Sequence, residues 1–147
     1  MIRELTPELE KDLALKARKS RGDIVAMTFL AQSGHPGGSI SSGRIVASLL
    51  FGPLDYDVSH PDREDADVVS YAAGHKAMGL YATWALRNEV LKQYNEKLLP
   101  ADISKQLRLE DLLGFRRNPT QSTPLFKRFN AKPLDGHPTP ATPLVPI

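Results

Sequence analysis

The sequence predicts an α/β domain with a parallel sheet and a large share of helix. A short run rich in β-branched residues at 67–71 leads through a small-residue turn into a helical pattern, which is the usual unit of a parallel sheet. Two further helical patterns precede this unit. The 147 residues suffice for one ordinary domain and exclude a large multidomain enzyme.

The first helix is predicted to begin after Thr6, a residue well suited to cap a helix, with Pro7 at the first helical position. Apolar residues then recur at near-helical spacing, namely Leu9, Leu13, Ala17, Ile24, Met27 and Ala31. Gly22 is a weak point inside this helix. The glycine- and proline-containing run at 33–38 is expected to end it.

The remaining elements follow from the same signals. A second helix is predicted to begin near Ser41 or Ser42 and to end at 52–53, where glycine and proline stop it. A third helix is predicted over about 76–91 or beyond, and one or two short helices over 100–114.

Prolines divide the chain into two parts. Seven of the twelve prolines lie at 119–147, and the residue before each of them is pushed out of the helical region. We therefore expect a folded domain over 1–118, followed by an extended segment over 119–147 that carries a Gly-His-Pro motif at 136–138. A domain rarely ends this way, so we expect a chain that stops in mid-course.

Composition and charge exclude several classes of function. Lysine and arginine number 19 and the acids 17, and this small net charge of +2 favours neither nucleic acid nor an anionic membrane surface as a partner. The lack of cysteine excludes disulfides, thiolate metal sites and a cysteine nucleophile. No segment approaches the roughly 18 to 20 apolar residues of a membrane span. We expect a soluble cytoplasmic protein.

Three of the four histidines, His35, His75 and His137, directly follow a glycine. Glycine adds no side chain and permits unusual backbone angles, so the next residue can approach a ligand closely. An exposed turn explains any single one of these histidines equally well, but the three together favour a site. Glycines and serines at 34–43 also precede a helix, which suits an anionic group and is equally explained by tight helix packing.

We interpret two other polar regions as exposed loops without a binding role. His60 lies in an acidic loop with Asp55 and Asp57, where a metal site is conceivable but a solvated loop is the ordinary outcome. Residues 115–134 contain five cations and no acid, and could contact a sugar phosphate or another subunit. An exposed solvated loop is the favoured interpretation there too.

Several segments resemble, in order, the N-terminal region of transketolases. The Ser-Gly-His-Pro-Gly string at 33–37 is highly specific, and the spacing of 40 positions from His35 to His75 agrees with that family. Gly136-His137-Pro138 resembles its third histidine motif. The resemblance runs over about 10–85 and resumes at about 134; its other segments are 21–24, 38–41, 44–51, 56–57, 62–63 and 74–75.

The resemblance implies a partial thiamine diphosphate-binding α/β fold over 1–118, in an enzyme that transfers a two-carbon ketol unit from a ketose phosphate to an aldose phosphate. It implies that His35 lies beside the thiazolium and contacts substrate hydroxyls, and that Gly74 and His75 contact the cofactor diphosphate. It implies that His137 contacts the terminal hydroxyl of the donor, so that His35 and His137 are the catalytic and substrate-binding histidines. It also implies Mg²⁺ and a homodimer.

The chain departs from the family pattern at several points. Ala72-Ala73 stand where a serine and a polar residue are common, and the spacing of 62 positions from His75 to His137 indicates an insertion over about 89–132. The family's metal ligands and its pyrimidine-binding domain with the activating glutamate are expected outside this chain. We therefore expect the chain alone to be inactive, and to be completed by the rest of a polypeptide or by a second subunit.

Two alternatives stay open at this point. The E1 component of a 2-oxo acid dehydrogenase shares the cofactor and a related glycine-histidine segment, although the intact string at 33–37 favours a transketolase. A non-catalytic interaction protein on the same fold is the other. Coding sequence that continues past codon 147 into a Gly-Asp-Gly stretch would exclude it.

Overall fold

Three α-helices form the frame of the protein. The computed structural model describes residues 5–60, 63–69, 71–102 and 106–116. In these residues the α-helices are α1 (Pro7–Ala31), α2 (Pro36–Phe51) and α3 (Ala77–Tyr94), and the short 3₁₀ helices are Gly74–Lys76, Glu96–Leu98 and Leu109–Gly114. Nothing in the described part is both long and apolar enough to cross a bilayer as a helix.

Helix α1 confirms the prediction for the first element. The Thr6 hydroxyl accepts a hydrogen bond from the Leu9 amide at 3.2 Å, which satisfies one of the free amides at the start of the helix. The helix continues through Gly22 without a break. It ends where Gln32 adopts a left-handed conformation with φ 51°, and its amide donates to the carbonyl of Phe29.

The predicted start of α2 near Ser41 or Ser42 is wrong, because the helix begins at Pro36. Proline has the backbone angle of a first helical residue and no amide to leave unsatisfied, so it starts the helix rather than preceding it. The following glycines are poor helix formers, but the buried face of α2 supplies packing that outweighs their propensity. As a consequence, His35 is the N-cap residue of α2 and lies at the helix end itself.

The core lies where α1 and α3 meet the residues near the end of the described chain. Its larger buried members are Ile24, Met27, Met78, Tyr81, Leu107, Leu112 and Phe115. A second cluster joins α2 to α3 through Val46, Leu50 and Leu80. Helix α3 is buried along most of its length, from Ala77 to Asn88, and therefore forms the centre of the described structure.

The sheet of the predicted α/β class stays a prediction. The described residues contain no strand, and residues 67–69 and 71 of the predicted strand run without regular secondary structure. A strand is defined by hydrogen bonds to a neighbouring strand, and nothing in the described part supplies that neighbour. The expected extended segment over 119–147 lies outside the described residues.

Candidate functional site

The structure brings two of the three predicted site histidines into contact. The rings of His35 and His75 have centroids 6.0 Å apart and planes at 87°, an edge-to-face arrangement between residues 40 positions apart in the sequence. Both side chains are exposed to solvent. Gly74 and His75 begin the 3₁₀ turn that leads into α3, so the pair lies where two helices begin side by side.

Gly34 forms part of the turn between α1 and α2, directly before His35. It has φ 145°, and a Cβ atom added there would lie 3.1 Å from both the sulfur and the methyl carbon of Met78. The backbone angle therefore favours glycine at this position, and the end of the Met78 side chain would have to shift slightly to admit a larger residue. The chain can then turn from the end of α1 into α2 with His35 at the corner.

Helices α2 and α3 approach each other closely one turn beyond the two histidines. Ser39 and Gly79 each follow their histidine by four residues, and a Cβ on Gly79 would lie 3.0 Å from the carbonyl oxygen of Ser39. The Ser39 hydroxyl donates to the carbonyl of Lys76 at 3.1 Å. The phenolic hydroxyl of Tyr71 donates to the same carbonyl at 3.2 Å. These contacts fix the start of α3 against α2 and so fix the spacing of the histidine pair.

The electrostatics of this corner favour an anion. The first turn of α2 has neither an acidic residue nor a side-chain hydrogen bond from its cap, so its amides carry the positive end of the helix dipole. Lys76 lies along Gly38, with its Cγ and Cε 3.0 and 3.2 Å from where a Cβ on that glycine would be. Its ammonium group is one bond further. Helix amides, a lysine and two imidazoles therefore share one exposed corner.

One cation of the basic stretch also reaches this region. Arg116 Nη1 donates to the Ser33 hydroxyl at 2.7 Å, two residues before His35. The other cations of that stretch lie outside the described residues, as does His137. The structure thus places His35, Gly74 and His75 together. The predicted roles of these three residues and of His137 toward cofactor and substrate stay predictions.

His60 belongs to a separate, exposed loop. Its side chain is 76% exposed and its Nδ1 lies 3.0 Å from Asp57 Oδ2. Two hydrogen bonds lower the pKa of Asp57 to about 2: the one from the Ser59 hydroxyl has the larger effect, and the one with His60 the next largest. Within the described residues no group of three or more histidine, cysteine or acidic side chains could hold a metal ion. The favoured interpretation of a solvated loop agrees with this geometry.

Arg87 is a buried arginine that was not predicted from the sequence. Arg87 is only 4% exposed and lines a cavity of about 720 Å³ that is separate from the histidine pair. The signal that could have found it is the nearly continuous run of small and apolar residues at 77–86. Such a run predicts a helix covered on most of its sides, so a charged residue next to it is expected to be buried as well.

Comparison with known proteins indicates a distant relationship to one enzyme. The chain is 36% identical over 81 residues to the proteins named transketolase from human, mouse and rat. The match covers 54% of this chain but only 13% of each relative. No protein-family model matches the chain, and no solved structure matches it at a significant level.

Proposed function

We propose that this chain contributes the diphosphate side of a thiamine diphosphate site in a transketolase-like enzyme. The distant relationship to transketolase supports the enzyme class. The observation that carries the site is the pair of His35 and His75, whose rings lie 6.0 Å apart at the beginning of α2. The resemblance to transketolases implies that both residues serve one cofactor, and this distance is short enough for both to contact one ligand.

The residues at this corner fit a diphosphate group. A diphosphate is a compact polyanion, and helix amides, lysine and imidazole are all hydrogen-bond donors suited to its oxygens. Gly38 leaves room for the Lys76 side chain, which packs along it at the first turn of α2. The described residues offer no cluster of metal ligands, so the proposal assigns the Mg²⁺ ligands to another part of the enzyme.

The roles of the histidines follow from their chemistry. When bound, thiamine diphosphate supplies the nucleophilic carbon that cleaves a ketose and transfers its two-carbon unit. Neutral imidazole has one nitrogen that donates and one that accepts, so His35 orients a substrate hydroxyl and can take or return its proton near pH 7. His75 donates to a diphosphate oxygen. His137, which lies outside the described residues, is assigned to the terminal hydroxyl of the donor.

The activity is proposed for an assembled enzyme and not for this chain by itself. The chain spans about one eighth of the relatives that it matches, since the match covers 13% of their length. The rest of a polypeptide or a second subunit would provide the metal ligands and the pyrimidine-binding residues, in a homodimer acting on sugar phosphates. The cysteine-free sequence suits a reducing, cytoplasmic setting.

Calorimetry tests whether further parts are needed. The purified chain is titrated with thiamine diphosphate in the presence of Mg²⁺, and we expect binding weaker than micromolar because the metal and pyrimidine sites are missing. Micromolar binding that His75→Gln abolishes would show that this chain alone holds the cofactor. It would contradict the need for an assembled enzyme.

A substrate comparison separates the transketolase proposal from the E1 alternative. The enzyme assembled with its remaining part is supplied with a ketose phosphate and an aldose phosphate, or with pyruvate. We expect two-carbon transfer with the sugar phosphates and none with pyruvate. Decarboxylation of pyruvate without sugar transfer would favour the 2-oxo acid dehydrogenase class, and activity with neither would favour the interaction protein.

A further inference from the structure

A second cavity lies on the opposite part of α3 from the histidine pair. Its volume is about 720 Å³, which suits a small molecule, and it is formed by the end of α2, the following segment and the second half of α3. Arg87 in this cavity lies ten positions after Ala77, the first residue of α3. At 1.5 Å per residue the two regions are roughly 15 Å apart along the helix, so the cavity is independent of the proposed cofactor site.

Arg87 lines this cavity with its charge only partly satisfied. Its Nε and Nη2 both donate to Asn88 Oδ1, at 3.1 and 2.7 Å. The guanidinium carbon lies 5.3 Å from the ring centroid of Tyr56 and 5.9 Å from that of Trp84. These neighbours are neutral. Tyr56 also forms a side-chain hydrogen bond with the guanidinium, whereas Nη1 is buried without a hydrogen-bond partner in the described part of the chain.

No carboxylate in the described part of the chain pairs with Arg87. Asp55 and Asp57 line the same cavity, but Asp55 accepts from Arg63 at 2.9 Å and Asp57 accepts from Ser59 at 2.6 Å. Burial lowers the pKa of Arg87, yet a guanidinium does not lose its proton near neutral pH. A buried charge without a counter-ion is destabilising, which indicates that a negative group normally completes this site.

We propose that the cavity binds the phosphate or carboxylate group of a small molecule through the Arg87 guanidinium. Asn88 accepts from Nε and Nη2, Tyr56 is a further neutral hydrogen-bond partner, and Nη1 is buried without a partner in the described part of the chain. The edge formed by Nη1 and Nη2 has the fork geometry that holds two oxygens of a phosphate or carboxylate. The apolar lining of Val58, Leu91 and Leu98 would contact the carbon skeleton of the ligand.

Titration of the full chain with two anions tests this proposal. Inorganic phosphate and succinate are added separately at constant ionic strength, with sodium chloride as the balancing salt. The amide signals of residues 54–58 and the side-chain N–H signals of Arg87 are followed by NMR. We expect saturable shifts in these signals with at least one anion, and the tighter of the two identifies the group. The absence of saturable shifts with both anions would overturn the proposal.

Two variants and a control assign the binding to Arg87. Arg87→Lys keeps the charge but loses the fork, so we expect about tenfold weaker binding. Arg87→Met removes the charge and should abolish binding. The matched control Arg18→Met removes an exposed cation on α1 and should leave the affinity unchanged. Equal affinity in wild type, Arg87→Lys and the control would contradict the proposal, even if Arg87→Met failed to fold.

Discussion

Gly79→Ala tests the contact that sets the spacing of the histidine pair. The added Cβ would lie 3.0 Å from the Ser39 carbonyl oxygen and 3.4 Å from its Cα, both backbone atoms of α2. Backbone inside a helix cannot move alone, so α2 and α3 must separate by a few tenths of an ångström. Overpacking of this kind costs about 1–3 kcal/mol.

Gly22→Ala is the matched control because it makes the same change inside a helix with nothing within 4 Å. Alanine is about 1 kcal/mol better than glycine in a helix, so this variant should be more stable than wild type by that amount. Gly79→Ala gains the same propensity but pays the steric cost. The free energy of unfolding should therefore be about 1–3 kcal/mol lower in Gly79→Ala than in Gly22→Ala.

Urea unfolding of both variants, followed by far-ultraviolet circular dichroism, measures this difference. The separation of the helices should also move the imidazole signals of His35 and His75, while Gly22→Ala leaves them in place. Two variants of equal stability would refute the close approach of α2 and α3. A destabilised Gly79→Ala with unmoved histidine signals would refute the link between that approach and the site.

Two further predictions concern the loop residues. Gly34→Ala should destabilise the protein by about 1–3 kcal/mol because φ is 145° there. The control Gly37→Ala places its new Cβ in open space and should not destabilise the protein. Urea unfolding compares the free energies of unfolding of the two variants. Ser59→Ala should raise the pKa of Asp57 from about 2 toward 3.8, and Ser48→Ala should not; NMR titration of the carboxyl group measures both. Because the lowered pKa contributes stability above about pH 4 that is lost as pH falls toward 2, Ser59→Ala should flatten the dependence of stability on pH in that window. An unchanged pKa, or equal stability of the two glycine variants, would contradict these assignments.

The helices were predictable where local signals act alone. Thr6 and Pro7 mark the start of α1 because capping and proline geometry depend on neighbouring residues only. At the start of α2 two local signals conflict, because Pro36 favours the first helical position whereas the glycines after it have low helix propensity. Packing of α2 against α1 and α3 decides that boundary, and such long-range contacts leave no local mark in the sequence.

The candidate site was predictable in composition and only partly in geometry. Glycine before His35 and His75 indicated a ligand site, and the structure places the two rings edge to face. The small and apolar run at 77–86 indicates that Arg87 is buried, but which elements cover it and form its cavity depends on long-range packing. Lys76 likewise joins the corner only because α3 begins beside the first turn of α2.

The central claim is that His35 and His75 act on one anionic ligand, and NMR of the imidazole rings tests it most directly. Thiamine diphosphate is added to the full chain with Mg²⁺ while the ring signals of the histidines are recorded. We expect the signals of His35 and His75 to shift together along one binding curve, with the exposed His60 as an unaffected reference. His75→Gln should weaken the response of His35. Shifts confined to His60, or a His35 response that does not depend on His75, would contradict the account.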